Sequence, residues 1–217
     1  MRRNVLATQR VVEAAAAAGA RVVLASSSSI YGEAESYPTR EDARPLPISP
    51  YGITKLACEH LARAYAKSAG LDVVALRYFT VYGPRQRPDM AFARMLRAMA
   101  GGEPFEVYGD GGQSRGFTFV ADAVEATVRA MRQAPPGAVY NVGGGGEATM
   151  LEAIAAAEAA SGRRLVVEFR PAAAGDVRRT APDITRIRQE LGWSPRVPLA
   201  DGLAAQWQWA WATVGSR

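Results

Sequence analysis

Tyr51 and Lys55 stand four residues apart in Tyr51-Gly52-Ile53-Thr54-Lys55, a spacing that puts both side chains on one face of a helix. A phenol beside an ammonium is an acid–base pair. The phenol alone keeps its proton up to about pH 10, and a neighbouring cation favours the charged form a base needs. Only two of the 26 basic residues are lysines, Lys55 and Lys67, so a lysine at this point is compatible with a need for that ion. Taken alone, the same spacing also describes an ordinary solvated helix start. Two further segments bear on the choice: Ser26-Ser27-Ser28-Ser29-Ile30-Tyr31-Gly32 upstream, and Arg77-Tyr78-Phe79-Thr80-Val81-Tyr82-Gly83-Pro84 downstream.

Elements must bring these segments together. Residues 4–18 read as a helix stopped by Gly19, with Val5, Val11 and Val12 as its apolar contacts. Residues 21–25 are a short β-branched run of the kind found in buried parallel strands, and it ends in the serines. A loop with Pro38, Pro45, Pro47 and Pro50 leads to a helix over 51–68, Gly70 closes it, and a second buried strand over 72–76 runs into Arg77-Tyr78-Phe79. Strand, helix and strand at this spacing make a βαβ unit, so all three segments converge on the carboxyl ends of parallel strands, where doubly wound sheets bind ligands.

Beyond Gly83-Pro84 the alternation loosens. The pattern predicts a helix over 90–99, strands near 105–108 and 117–119, a helix over 122–132, a strand over 139–142, a helix over 150–161, a strand over 165–169, and helices from Asp183 and Leu199. The expected fold class is α/β: the carboxyl-terminal half of a doubly wound Rossmann sheet over residues 1–88, plus a smaller α/β substrate-binding cap over 89–217, some segments of which are free to return to the sheet. Two parallel strands bury too little for a stable open sheet. No Gly-x-x-Gly-x-x-Gly opens a strand-to-helix turn, and the cluster Gly143 to Gly146 reads as a loop. The expectation is therefore that the sequence starts in mid-domain.

With Ser49-Pro50-Tyr51-Gly52-Ile53-Thr54-Lys55, the serine run and Arg77-Tyr78-Phe79-Thr80-Val81-Tyr82-Gly83-Pro84 together, the chain resembles the extended short-chain dehydrogenase/reductases, the NAD-dependent nucleotide-sugar epimerases and dehydratases. The resemblance runs from Asn4 nearly to the carboxyl terminus. Arg85-Gln86-Arg87-Pro88-Asp89-Met90-Ala91 resembles the signature of UDP-glucuronate 4-epimerases.

The resemblance implies NAD as cofactor, with residues 1–88 as part of its binding domain, and a UDP-sugar as substrate. Position by position, Tyr51 matches the general base, Lys55 the lysine on the nicotinamide ribose, Ser27 the residue that bonds the sugar hydroxyl and the tyrosine oxygen, and Tyr78 the aromatic near the nicotinamide. On the substrate side it implies Asn4, Ser28, Ser29, Thr80 and Arg87, with Phe105 and Val107 in the uridine segment and Arg115 and Arg178 for the diphosphate. Arg87 is the expected reader of a uronate carboxylate. Departures accompany these matches: Gly116 follows Arg115 where the family usually has aspartate, and Ala173 stands where some members place a second diphosphate arginine. Dehydratases carry an acidic pair where this chain has Ser28 and Ser29, and a hydroxyl cannot protonate a leaving group as a carboxylic acid does.

The implied reaction is 4-epimerisation by transient oxidation: Tyr51 takes the proton of the sugar 4-hydroxyl, hydride leaves carbon 4, and hydride returns to the other face of the ketosugar. UDP-glucuronate is the first expectation; UDP-glucose or UDP-N-acetylglucosamine is the alternative. A third reading, from another class, is an inactive fragment that retains nucleotide-sugar binding. The family also implies a homodimer through the helices over 4–18 and 51–68. His60 and Cys58, one turn past the catalytic pair, read as packing residues.

Composition bounds the rest. With 48% hydrophobic and 22% charged residues in 217, the chain suits a globular domain and excludes collagen, disorder and disulfide scaffolds. One cysteine and one histidine cannot build a structural zinc site, and no metal is expected. The net charge of +5 is modest and its arginines are scattered, which argues against nucleic acid as a partner. Without an export signal or membrane-length apolar run, a cytoplasmic location with no membrane association is expected.

Overall fold

The structure is a computed structural model that describes residues 1–144, 146–172 and 177–214. A π turn over Arg2–Leu6 leads into α1 (Ala7–Ala18), which Gly19 ends in the left-handed conformation. Strand β1 (Val22–Ser27) follows, then a 3-10 turn over Ser28–Ile30, α2 (Pro50–Ala69) and β2 (Val73–Tyr78). Helix α2 starts cleanly because Ser49 Oγ accepts the Gly52 N–H at 3.1 Å and Pro50 occupies the first turn, where no amide is needed.

The rest comprises β3 (Val81–Tyr82), α3 (Ala91–Gly101), β4 (Phe105–Tyr108), β5 (Ser114–Gly116), β6 (Thr118–Phe119), α4 (Val120–Gln133), β7 (Val139–Val142), β8 (Glu147–Thr149), α5 (Met150–Ser161), β9 (Val167–Arg170), β10 (Arg179–Thr180), α6 (Thr185–Leu191) and α7 (Leu199–Val214).

The central sheet is parallel, in the order β1-β2-β7. Its strands are apolar on both faces because both are covered. Leu24, Val73 and Ala75 pack with Val12 of α1 and Cys58 and Ala62 of α2, while Val74, Leu76, Tyr140 and Val142 pack with Ala126 and Ala130 of α4 and Ile187, Leu191 and Trp193 at α6. Burying each such large side chain is worth about 1.5–3 kcal/mol, so the sandwich on β2 holds rigidly the strand end that carries Tyr78 and leads into Thr80. A second core joins Tyr82, Phe92, Phe105, Val107, Phe117, Ile154 and Trp207 beneath the short sheets β10-β5-β8 and β4-β9.

Several expectations need correction. Val11 is 58% exposed, since Val12 is the residue that turns inward on α1. His60 is exposed and does not pack, unlike buried Cys58. Strands β3, β5, β8 and β10, of two or three residues each, are too short to show a period. The strand expected from Leu165 starts at Val167, and Asp183 precedes its helix, with its carboxylate accepting the Thr185 N–H at 2.7 Å.

Candidate active site

At the carboxyl end of β1 the chain turns sharply. Ser27 Oγ accepts the Ser29 N–H at 3.2 Å and donates to Ser29 Oγ at 3.1 Å, closing the 3-10 turn. The start of α2 presses against this turn: a Cβ on Gly52 would collide with the Ser29 carbonyl oxygen, so only glycine allows the approach that seats Tyr51 beside the serines. Tyr51 is half-exposed. Lys55 Nζ donates to the Ala25 carbonyl at 2.7 Å and lies 5.7 Å from the Tyr51 ring centroid. The structure thus has Tyr51 and Lys55 on one face of α2, and the start of that helix against the Ser29 carbonyl.

Two clefts meet above this end of the sheet. One, of about 160 Å³, is lined by Ser28, Ser29, Ser49, Thr80, Arg115 and Thr180. The other, of about 240 Å³, is lined by Thr80, Arg115, Phe105, Val107, Tyr108 and Met150 among others. Thr80 and Arg115 border both. Arg115 is half-buried and donates through Nη1 to the Ser114 carbonyl at 2.8 Å. Thr180, which no sequence pattern singles out, buries an Oγ1 that meets no hydrogen-bond partner among the described residues. Phe105 and Val107 are anchored in the cap core.

Other expected residues lie outside these clefts. Asn4 turns to α2, where Nδ2 donates to Thr54 Oγ1 at 2.8 Å. Tyr78 faces α4, its hydroxyl 2.6 Å from Thr127 Oγ1, and burial pushes the phenol above its ordinary pKa. Arg178 is exposed and forked onto Asp110 at 3.2 and 3.0 Å; the Gly112 N–H first, and this guanidinium second, hold that carboxyl below its usual range. Arg87 is likewise turned to solvent, paired with Asp89 at 3.1 and 2.9 Å, because a carboxylate two residues on offers it a local partner. Ala173 and Gly145 lie outside the described residues. Behind the serines, Arg77 and Glu59 form a buried ion pair that sequence reading missed, since nothing in their spacing marks them as partners.

Among the described residues no group of three histidine, cysteine or acidic side chains is arranged to hold a metal, and no helix is long and apolar enough to cross a membrane.

The sequence profile of the NAD dependent epimerase/dehydratase family matches residues 1–143. The chain is 41% identical over 206 residues to the UDP-glucose 4-epimerase of Mycolicibacterium smegmatis, covering 93% of this chain and 66% of that protein. It is 35% identical over 193 residues to the UDP-glucuronate 4-epimerase of Thermodesulfobacterium geofontis, covering 88% of this chain and 59% of that protein. The chain thus spans just under two thirds of the length of these curated relatives, or less. The crystal structure of the Bacillus cereus UDP-glucuronic acid 4-epimerase with UDP-glucuronic acid and NAD superposes with a TM-score of 0.93 at 40% identity, over 97% of this chain and 68% of that one.

Proposed function

Because the chain belongs to the NAD dependent epimerase/dehydratase family, we propose that it serves the NAD-dependent 4-epimerisation of a UDP-sugar, UDP-glucuronate before others. The observation that carries this reading is the pair of clefts sharing Thr80 and Arg115, with the hydroxyls of Ser28, Ser29 and Ser49 at one end and an aromatic, cap-anchored slot at the other. Tyr51 and Lys55 line neither cleft and stand on the first turns of α2, whose start packs on the serine turn. The reading puts the sugar by Ser27, Ser28, Ser29 and Tyr51, the diphosphate by Arg115, and the base over Phe105 to Tyr108. Serines at 28 and 29 support epimerisation over dehydration, even though a dTDP-glucose 4,6-dehydratase of Streptomyces griseus is 38% identical.

Tyr51 takes and returns the proton of the 4-hydroxyl, Ser27 holds that hydroxyl, and Lys55 supports the phenolate. For the cofactor, the test is whether the groups next to Tyr51 suit a ribose. They do: Lys55 reaches the β1 edge at Ala25, an exposed residue, and leaves a cationic donor beside the phenol. NAD, when bound, supplies the acceptor for the hydride from carbon 4. A uronate carboxylate within reach of the Ser28, Ser29 and Thr80 hydroxyls finds donors there. Arg87 joins them by exchanging Asp89 for the substrate's carboxylate, since an exposed ion pair is weakly held.

Exposed Leu6 and Val11 on the outer side of the first helical segment support pairing of two copies through α1 and α2. A free, buried Cys58 supports a reducing compartment, the cytoplasm. The test is to incubate the protein with NAD⁺ in large excess and either UDP-glucuronate or UDP-glucose and to follow the proton at carbon 4 by NMR. Higher kcat/KM with UDP-glucuronate is expected. Preference for UDP-glucose moves the reading to a neutral sugar, and absence of UDP-sugar binding by calorimetry overturns it.

A further inference from the structure

Glu59 lies one turn beyond Lys55 and two beyond Tyr51, so the three side chains share a face of α2 in steps of about 6 Å along its axis. Here that face is bolted to the sheet. Ser26 and Arg77 are register partners across β1 and β2, and one carboxylate holds both: Ser26 Oγ donates to Glu59 Oε1, Arg77 Nε donates to Oε1 at 3.1 Å, and Arg77 Nη2 donates to Oε2 at 2.9 Å. The two side chains of the ion pair are only 8% and 10% exposed.

Arg77 is fixed on its other side too. Its Nη1 donates to Tyr31 Oη at 2.8 Å and to the Glu41 carbonyl at 2.7 Å, and the Tyr31 hydroxyl donates to Asn141 Oδ1 at 2.8 Å on β7. The pair therefore ties α2 to all three strands of the central sheet. Glu59 does not line the clefts at the serine turn; it borders a separate cavity of about 550 Å³.

Desolvating two charges roughly cancels their attraction, so stability alone accounts poorly for a pair buried this deeply. Geometry accounts for it better. Successive strand residues point to opposite faces, so Ser26 addresses α2 while Ser27, the next residue, is left to build the turn at the cleft.

The geometry points to Glu59 as a positioning residue for the reaction proposed above, on which this inference rests: by gripping Ser26 and Arg77 together, it fixes the slide and rotation of α2 against β1, and so the placement of Tyr51 and Lys55 relative to Ser27. Glu59 touches no reacting atom. Its effect is transmitted through the helix.

Ser26→Ala is the informative variant, because it cuts the link to β1 and leaves the Arg77–Glu59 pair whole. With 3-fluorotyrosine incorporated and the Tyr51 signal assigned through Tyr51→Phe, fluorine NMR of Ser26→Ala is expected to show the Tyr51 resonance shifted or broadened while those of Tyr82 and Tyr108 stay in place. Turnover reads the same displacement: kcat falls about tenfold, KM stays within about twofold, and Tm is unchanged. Glu59→Gln is expected to be worse, and Glu59→Asp to recover part of the loss. An unmoved Tyr51 signal overturns the assignment, and so does a uniform shift of all tyrosine signals with a lowered Tm, which marks a purely structural role. The fluorine readout needs no turnover, so it decides the positioning role even if UDP-sugars fail to bind and the epimerase reading falls.

Discussion

Tyr51 owes its surroundings to backbone and its chemistry to one oxygen, which lets substitution separate the two. Tyr51→Phe keeps the ring and the Gly52 contact with the serine turn, so turnover is expected to fall by about 10²- to 10⁴-fold while UDP-sugar affinity stays nearly constant. Steady-state rates and calorimetry on the same preparation check both halves. Ser27→Ala should cost more than Ser28→Ala, because Ser27 Oγ both closes the turn and lies where the sugar hydroxyl is proposed to dock, whereas the Ser28 side chain makes no hydrogen bond among the described residues that helps shape the turn. Equal losses would mean that the run is misaligned by one residue. Arg87→Met should reduce kcat/KM for UDP-glucuronate far more than for UDP-glucose, since only the uronate offers a carboxylate in place of Asp89. Parallel losses on both substrates would remove Arg87 from sugar recognition.

At the level of elements, the attachment of the last helices depends on a buried acid near the start of α4. Asp122 Oδ2 accepts the Arg196 and Val197 N–H groups, each at 3.1 Å, and its carbonyl accepts Trp193 Nε1 at 3.0 Å. Asp122→Ala leaves two amides without partners and is expected to cost about 1–3 kcal/mol by urea unfolding. In the cap, Glu147 joins β8 to β5 and β10 through Ser114 and Arg179, and the Arg179 guanidinium holds its carboxyl below the ordinary 4.5. A carboxyl with a depressed folded pKa stabilises above its unfolded value and loses that contribution as pH falls through the folded one. Glu147→Gln should therefore lower Tm at pH 7 and make no difference well below pH 4.5. The sequence made the long elements readable through period and punctuation: Gly19 and Gly70 mark real helix ends, and the Ser49-Pro50 start of α2 is a working cap. It could not show β5, β8 and β10, whose pairing is set by partners 31 to 65 residues apart and not by local pattern. The site divides the same way. Tyr51, Lys55 and the serines are legible because helix and strand spacing places them, whereas Glu59–Arg77 and the open hydroxyl of Thr180 are products of tertiary contact.

For the molecule as a whole, the order β1-β2-β7 makes β1 an outer strand, and Lys55 reaches its carbonyl at Ala25 from the helix side. The groups that address a dinucleotide in these 217 residues are thus gathered at one end, around the proposed nicotinamide ribose. A pyrophosphate is usually held by the amides and positive dipole of a helix amino terminus opened by a glycine-rich turn, and no Gly-x-x-Gly-x-x-Gly occurs in this sequence. The UDP-sugar side differs, because Arg115, Thr80, Phe105 and Val107 already line joined clefts. The two ligands should therefore separate in a binding experiment on a polypeptide of these 217 residues. UDP-glucuronate is expected to bind without added cofactor, its heat signal weakened by Arg115→Met. NAD⁺ alone is expected to bind with a dissociation constant far above about 1 µM, since half-sites forgo most of the roughly 8 kcal/mol that micromolar affinity requires. Micromolar NAD⁺ binding by calorimetry would show that a pyrophosphate site is built from residues other than a glycine-rich turn, and Arg115→Met with unchanged UDP-sugar affinity would move the diphosphate away from the junction of the two clefts.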